Sequence, residues 1–145
     1  MVPLPCLPRS ATVSLEEQLP SEEDVVSVIN RTDLPMAIEG DGVEFRTDRA
    51  GEQSIAWVRL LAGADLRPGL VGLPDDLCPV PHWGYMIKGR LVMHGVDGDE
   101  TYEAGQAFYW APGHAPEALE DCEYVDVSPT EGLEGVIRHL QSGAA

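Results

Sequence analysis

Cys78-Pro79-Val80-Pro81-His82-Trp83-Gly84-Tyr85-Met86-Ile87-Lys88-Gly89 is the stretch that decides the fold. A proline-rich bend carries two potential metal donors into an aromatic, apolar strand that ends at a glycine. Further on, Gly105-Gln106-Ala107-Phe108-Tyr109-Trp110-Ala111-Pro112-Gly113-His114 repeats the design, a glycine-bounded strand delivering another histidine. Two such strands with donors at their ends predict a small β-barrel with a site in its mouth.

The spacing resembles that of the cupin superfamily. The first cupin motif runs from a glycine through two histidines, one residue apart, to a glutamate and a closing glycine. Here six residues separate His82 from Gly89, so His82 stands in the glutamate's place. Counting back puts Cys78 at the second histidine and Asp76 at the first. A gap one residue longer moves the pair to Asp75 and Leu77 and brings Gly69 onto the leading glycine. Leu77 has no donor atom, which favours the first register. In the second motif Gly105 and Gly113 match, and Ala111 replaces the family's proline. The histidine position falls on Pro116 and the asparagine position on Glu120, with His114 two residues before the vacated histidine. The resemblance covers residues 40 to 128 and rests mainly on glycines and strand spacing.

That resemblance implies an all-β, jelly-roll double-stranded β-helix with a short C-terminal helix. Its expected divisions are a lead segment at 1–33, the barrel at 34–129, and a helix and tail at 130–145. It also implies a homodimer and a metal held by Cys78, His82 and His114, with Asp76 as a fourth ligand or orienting group. A thiolate with two imidazoles suits zinc first and iron(II) second.

Composition bounds the reading. A chain of 145 residues fits one domain able to bury a core. Twelve prolines and fifteen glycines predict many turns. A net charge of −16 argues against nucleic acid or an anionic membrane as partner. No apolar run approaches the length of a membrane span. The start, Met1-Val2-Pro3-Leu4-Pro5, lacks the basic region of a signal peptide. Three cysteines, an odd number, make no disulfide framework, and a reducing cytoplasm is the expected setting.

Strands are predicted at 43–46, 54–61, 83–87, 90–94, 101–103, 107–110 and 123–127. Asp97-Gly98 marks a hairpin, and Thr130 is placed to cap a helix from Glu131 to Gln141. Leu133, Val136, Ile137 and Leu140 form that helix's apolar side. The segment beginning Ser21-Glu22-Glu23-Asp24 and running through Val25, Val26, Val28 and Ile29 reads equally as helix or strand.

Side-chain parity places His82, Gly84 and Met86 on one face, and Trp83 and Tyr85 on the other. A glycine at inward position 84 is expected to leave room for a ligand. Trp57 and Arg59 share a strand face. There they could hold a substrate carboxylate, or Trp57 could pack in the core with Arg59 at an edge. Tyr109 is a further substrate-binding candidate, since it or Trp110 should face inward. His94, His139 and Cys6 read as surface or tail residues, and Cys122 as part of a loop.

Three functions of different kind follow. One is a metal-dependent enzyme acting on a small carboxylate or carbonyl metabolite, lyase- or isomerase-like with zinc and oxygenase-like with iron. Another is a non-catalytic module that senses a small ligand or metal. The third is a barrel used mainly for assembly, with its site decayed. No catalytic residue is singled out.

Overall fold

Strict alternation of buried and exposed side chains is what makes these strands two-faced. In Gln53–Leu60 the inward set is Ser54, Ala56, Val58 and Leu60, while Trp57 and Arg59 look outward. The same period governs the last strand, where Cys122, Tyr124, Asp126 and Ser128 are buried. Each strand therefore contributes one row to a common interior.

The computed structural model describes residues 26–143. Nine strands follow in order: β1 (Met36–Gly40), β2 (Val43–Ala50), β3 (Gln53–Leu60), β4 (His82–Lys88), β5 (Arg90–Gly95), β6 (Gly98–Glu103), β7 (Ala107–Trp110), β8 (His114–Ala118) and β9 (Cys122–Pro129). They form a six-stranded sheet ordered β1-β2-β3-β9-β4-β7 and a three-stranded sheet ordered β6-β5-β8. All pairings between the strands are antiparallel. Between them lies a core of Val43, Val58, Leu60, Met86, Leu91, Phe108 and Tyr124 among others. A one-turn helix α1 (Arg67–Leu70) and the terminal helix α2 (Thr130–Gln141) pack at one end. Leu133 and Val136 of α2 join Leu70, Cys78, Val80 and Ala115 in a second apolar cluster.

Several expectations need correcting. β1 and β8 were not anticipated. β1 is short and joined to β2 through Asp41 and Gly42, both at positive φ. β8 contains Pro116, a residue that argues against strand. It is tolerated because β8 pairs with β5 alone in its sheet and lies at the edge. Thr130 is the first helical residue rather than the cap, and its hydroxyl bonds that of Ser54 at 2.8 Å. Cys122 opens β9 and is buried. The hairpin between β5 and β6 turns at Val96-Asp97, with Gly98 just after it at φ 126°. Residues 26–30 are neither helix nor strand; the rest of that ambiguous segment, with Cys6, lies outside the described residues.

The outer face of the large sheet is unusually apolar. Ile55, Val127, Trp83 and Tyr109 stand in register across four strands, and Trp57, Val125, Tyr85 and Ala107 form the next row. Trp83 is 49% exposed and Tyr109 54%. No described helix is long and apolar enough to cross a membrane.

A candidate metal centre in an apolar cavity

Cys78 and His114 are brought together by backbone pairing outside the regular strands. The Cys78 amide donates to the His114 carbonyl at 2.8 Å, and the Gly113 amide donates to the Cys78 carbonyl at 2.7 Å. Gly113, at φ 94°, makes the turn after Pro112 that aims His114 inward. His82 arrives from the first position of β4, opposite Trp110 on β7. The segment from Cys78 to His82, with prolines at 79 and 81, thus spans from one sheet to the other, carrying a donor at each end.

The three donor groups lie within 4.8 Å of one another, and all three residues are buried. Cys78 Sγ sits 3.6 Å from His82 Nε2. A sulfur and an imidazole nitrogen on one tetrahedral zinc stand about 3.5 Å apart, given the usual bond lengths. The second ring nitrogens are occupied. His114 Nδ1 donates to the Ala111 carbonyl at 2.7 Å, which leaves its Nε2 bearing a lone pair. His82 Nδ1 pairs with Ser128 Oγ at 2.5 Å, leaving Nε2 facing Cys78. Fixing the far nitrogen is how proteins orient a ligating imidazole.

Electrostatics suit the same role. Burial, with His114 alongside, lowers His82 to about 3, and burial also lowers His114. Both rings are therefore neutral near pH 7, the form that binds metals. Burial pushes the Cys78 thiol up to about 11, so it stays protonated until a cation displaces the proton. The donor set therefore fits a divalent ion.

The triad lies at the wall of a cavity of about 400 Å³. β1 and β2 supply Ile38, Val43 and Phe45 to its lining, and α2 supplies Leu133, Val136 and Leu140. Tyr124 and Asp126 face into it from β9. Burial raises Asp126 to about 8.

Of the other residues expected at the site, the structure brings none to the triad. Asp76 is exposed, at φ 58° in a 3-10 turn, and accepts from the Gly72 amide at 2.9 Å. The extended path needed to put it beside Cys78 does not exist. Arg59 and Trp57 share a face as expected, but it is the outer one. Trp57 Nε1 donates to Glu123 at 2.8 Å, and Arg59 pairs with Glu123 and Glu44. Tyr109 also faces outward, its ring 5.2 Å from that of Trp83, and Trp110 is the inward partner that lines the cavity. Gly84 faces inward but makes no room for a ligand. A Cβ there would come 2.2 Å from the Val125 carbonyl and 2.5 Å from the Phe108 ring, which fills the space. His94 is half-buried between Asp99 and Glu117. His139 donates to the Val71 carbonyl.

Asp126 and Tyr124 were overlooked. They lie in a strand recognised by its alternation, but β9's inward parity was not carried through to them. That parity was the available signal.

No family model matches the chain, and no curated protein matches it. Solved structures do match in shape. An RmlC-like cupin from Shewanella frigidimarina superposes with a TM-score of 0.55 at 14% identity, over 73% of this chain and 93% of that one. KdgF from a Halomonas species gives 0.54 at 21% identity, over 72% and 94%. The polyketide cyclase RemF from Streptomyces resistomycificus gives 0.51 at 15%, over 72% and 80%. At such identities the likeness speaks to architecture, and with the two antiparallel sheets it is decisive there: this chain has the cupin fold.

Proposed function

We propose that this protein is a metal-dependent enzyme acting on a small organic molecule inside the barrel. The observation that carries the reading is the convergence of Cys78, His82 and His114 at the wall of a chamber large enough for a metabolite. Three protein donors with space beyond them is the pattern of a catalytic rather than a purely structural zinc site, which would be closed by a fourth side chain. The thiolate favours zinc over iron(II).

Each residue has a definable task. Cys78, as the thiolate, would be the anionic ligand. His82 and His114 bind as neutral rings, held in place by Ser128 and the Ala111 carbonyl. The apolar walls from β1, β2 and α2 exclude bulk water, which strengthens any electrostatic interaction within. A zinc ion held here supplies a Lewis-acid position able to polarise a carbonyl or acidify a bound water, chemistry of lyase, isomerase or cyclase type. Structures of similar fold include a polyketide cyclase and an ectoine synthase.

The test begins with elemental analysis of protein purified without chelator. The zinc-loaded wild type and His82→Ala are then incubated with a panel of carbonyl and hydroxy compounds, followed by proton NMR. The expected result is close to one zinc per chain and consumption of at least one compound by the wild type alone. Full zinc occupancy with no turnover across the panel would replace the enzyme with a binding module. No zinc, even after reconstitution, would remove the metal centre altogether.

A further inference from the structure

Three polar groups on residues lining the cavity have no hydrogen-bond partner among the described residues: Trp110 Nε1, the Tyr124 hydroxyl and the Asp126 carboxyl, of which the last two share one face of β9. Tyr124 is 3% exposed and Asp126 4%, on the inward face of β9 two residues apart. Neither the Tyr124 hydroxyl nor the Asp126 carboxyl makes a hydrogen bond among the described residues. The triad itself is satisfied: His82 by Ser128, His114 by Ala111, and Cys78 by Val80 and His82. Buried hydroxyls and carboxyls are nearly always bonded, because leaving one bare forfeits its hydration without return. Both groups line the same chamber, so what completes them is a group inside it.

The charge of the walls narrows that group further. Among the described residues no Lys or Arg side chain lines the cavity. Its acidic lining residues are Asp41, Asp65 and Asp126, of which Asp65 is ion-paired with Arg67 at 2.8 Å. The arginine expected to steer an anion, Arg59, lies on the outer face and is engaged by two glutamates. The remaining walls are aliphatic and aromatic, notably Val43, Phe45, Leu133, Val136 and Leu140.

We propose that Tyr124 and Asp126 are the polar anchor of a ligand site for an uncharged, mainly apolar molecule carrying a hydroxyl or carbonyl group. Tyr124 can donate or accept and Asp126 can accept, so the pair suits a hydroxyl or an enolisable carbonyl. The apolar body of the ligand packs toward α2, and its polar end lies on the β9 side. This inference rests on the reading of the cavity as the substrate chamber and replaces the expected carboxylate with a neutral molecule.

The test uses three matched probes: 2-(1-hydroxyethyl)naphthalene, its apolar isostere 2-ethylnaphthalene, and 2-naphthoate. Binding to wild type, Tyr124→Phe and Asp126→Ala is measured by calorimetry on zinc-loaded and zinc-free protein. Wild type should bind the alcohol about fivefold more tightly than the isostere, and the naphthoate at least about tenfold more weakly than the alcohol. Each substitution should bring the alcohol to the affinity of the isostere while leaving the isostere within about twofold. A general loosening of the fold would instead weaken both neutral probes together. Tyr124→Phe changes only one atom and carries the test if Asp126→Ala fails to fold. Naphthoate binding as tightly as the alcohol would overturn the proposal. So would an alcohol affinity that neither substitution moves, or no binding of either neutral probe. Zinc content separates this failure from that of the metal centre. Both variants should hold as much zinc as wild type, and the zinc-free protein should still prefer the alcohol to its isostere.

Discussion

At the scale of single residues, the chemistry turns on groups whose ionisation is shifted by burial. Burial raises the Cys78 thiol to about 11, so it is protonated near pH 7. Zinc entry should therefore release about one proton per ion at that pH. Calorimetry in two buffers of different ionisation enthalpy reads this directly, and Cys78→Ser should lose most of the release together with the tight binding. Asp126 makes a second prediction, of opposite sign to the usual carboxylate. Its pKa rises from an ordinary 3.8 to about 8, so between those values the folded chain keeps a proton the unfolded chain has lost. Stability of the metal-free protein should then fall as pH rises through that window, by at most about 1.4 kcal/mol per unit from this group. The buried histidines act the other way. His82 drops from 6.5 to about 3, so the stability tied to its neutral form is lost as pH falls below 6.5. Denaturant titrations of wild type and Asp126→Asn between pH 6.5 and 8.5 isolate the carboxyl, and the variant should show the flatter profile. The convergence of Cys78, His82 and His114 was legible because motif spacing and strand parity both pointed to them. Asp76 misled because its spacing was right while its backbone was not. Two consecutive residues at positive φ turn it out to solvent, and spacing carries no information about φ.

At the scale of elements, alternation made most strands readable, and the failures are instructive. β8 was hidden by Pro116, which fits only because that strand is an edge. β1 is five residues long and joins the sheet through a tight turn at Asp41-Gly42, so its pattern is too brief to stand out. The face of β3 was read with correct parity but the wrong sign. Trp57 and Arg59 do lie together, yet the buried row is Ser54, Ala56, Val58 and Leu60, made of smaller residues. An aromatic beside an arginine looks like a ligand clamp in sequence. In the fold it is an outer cross-strand arrangement closed by Glu123. Gly84 gives a test of how tightly β4 meets β7 and β9. An added methyl would strike backbone at Val125 and the Phe108 ring, so Gly84→Ala should cost about 2–4 kcal/mol, measured by chemical denaturation. The terminal helix was anticipated with its apolar side, but its role as a cavity wall was not, since nothing in its periodicity says what it covers. Leu133→Ala, at a residue 3% exposed, should destabilise by about 2–4 kcal/mol and enlarge the chamber, read as a weaker melting transition and looser probe binding.

At the scale of the whole molecule, the two sheets and α2 enclose one chamber with a donor triad at its wall and an unsatisfied polar pair on β9. Zinc held by Cys78, His82 and His114 would require the folded chain to bring position 114 to the other two, so it should also raise stability, with the gain growing with free zinc. Chelation should lower the melting temperature of the wild type and leave that of His82→Ala nearly unchanged. A single coordination sphere carries the proposed function, and X-ray absorption at the zinc edge on reconstituted protein observes it directly. The expected shell is one sulfur at about 2.3 Å and two imidazole nitrogens at about 2.0 Å, with a light atom completing the set. Loss of the sulfur shell in Cys78→Ser should accompany this. A shell of oxygen and nitrogen alone in the wild-type protein would contradict it.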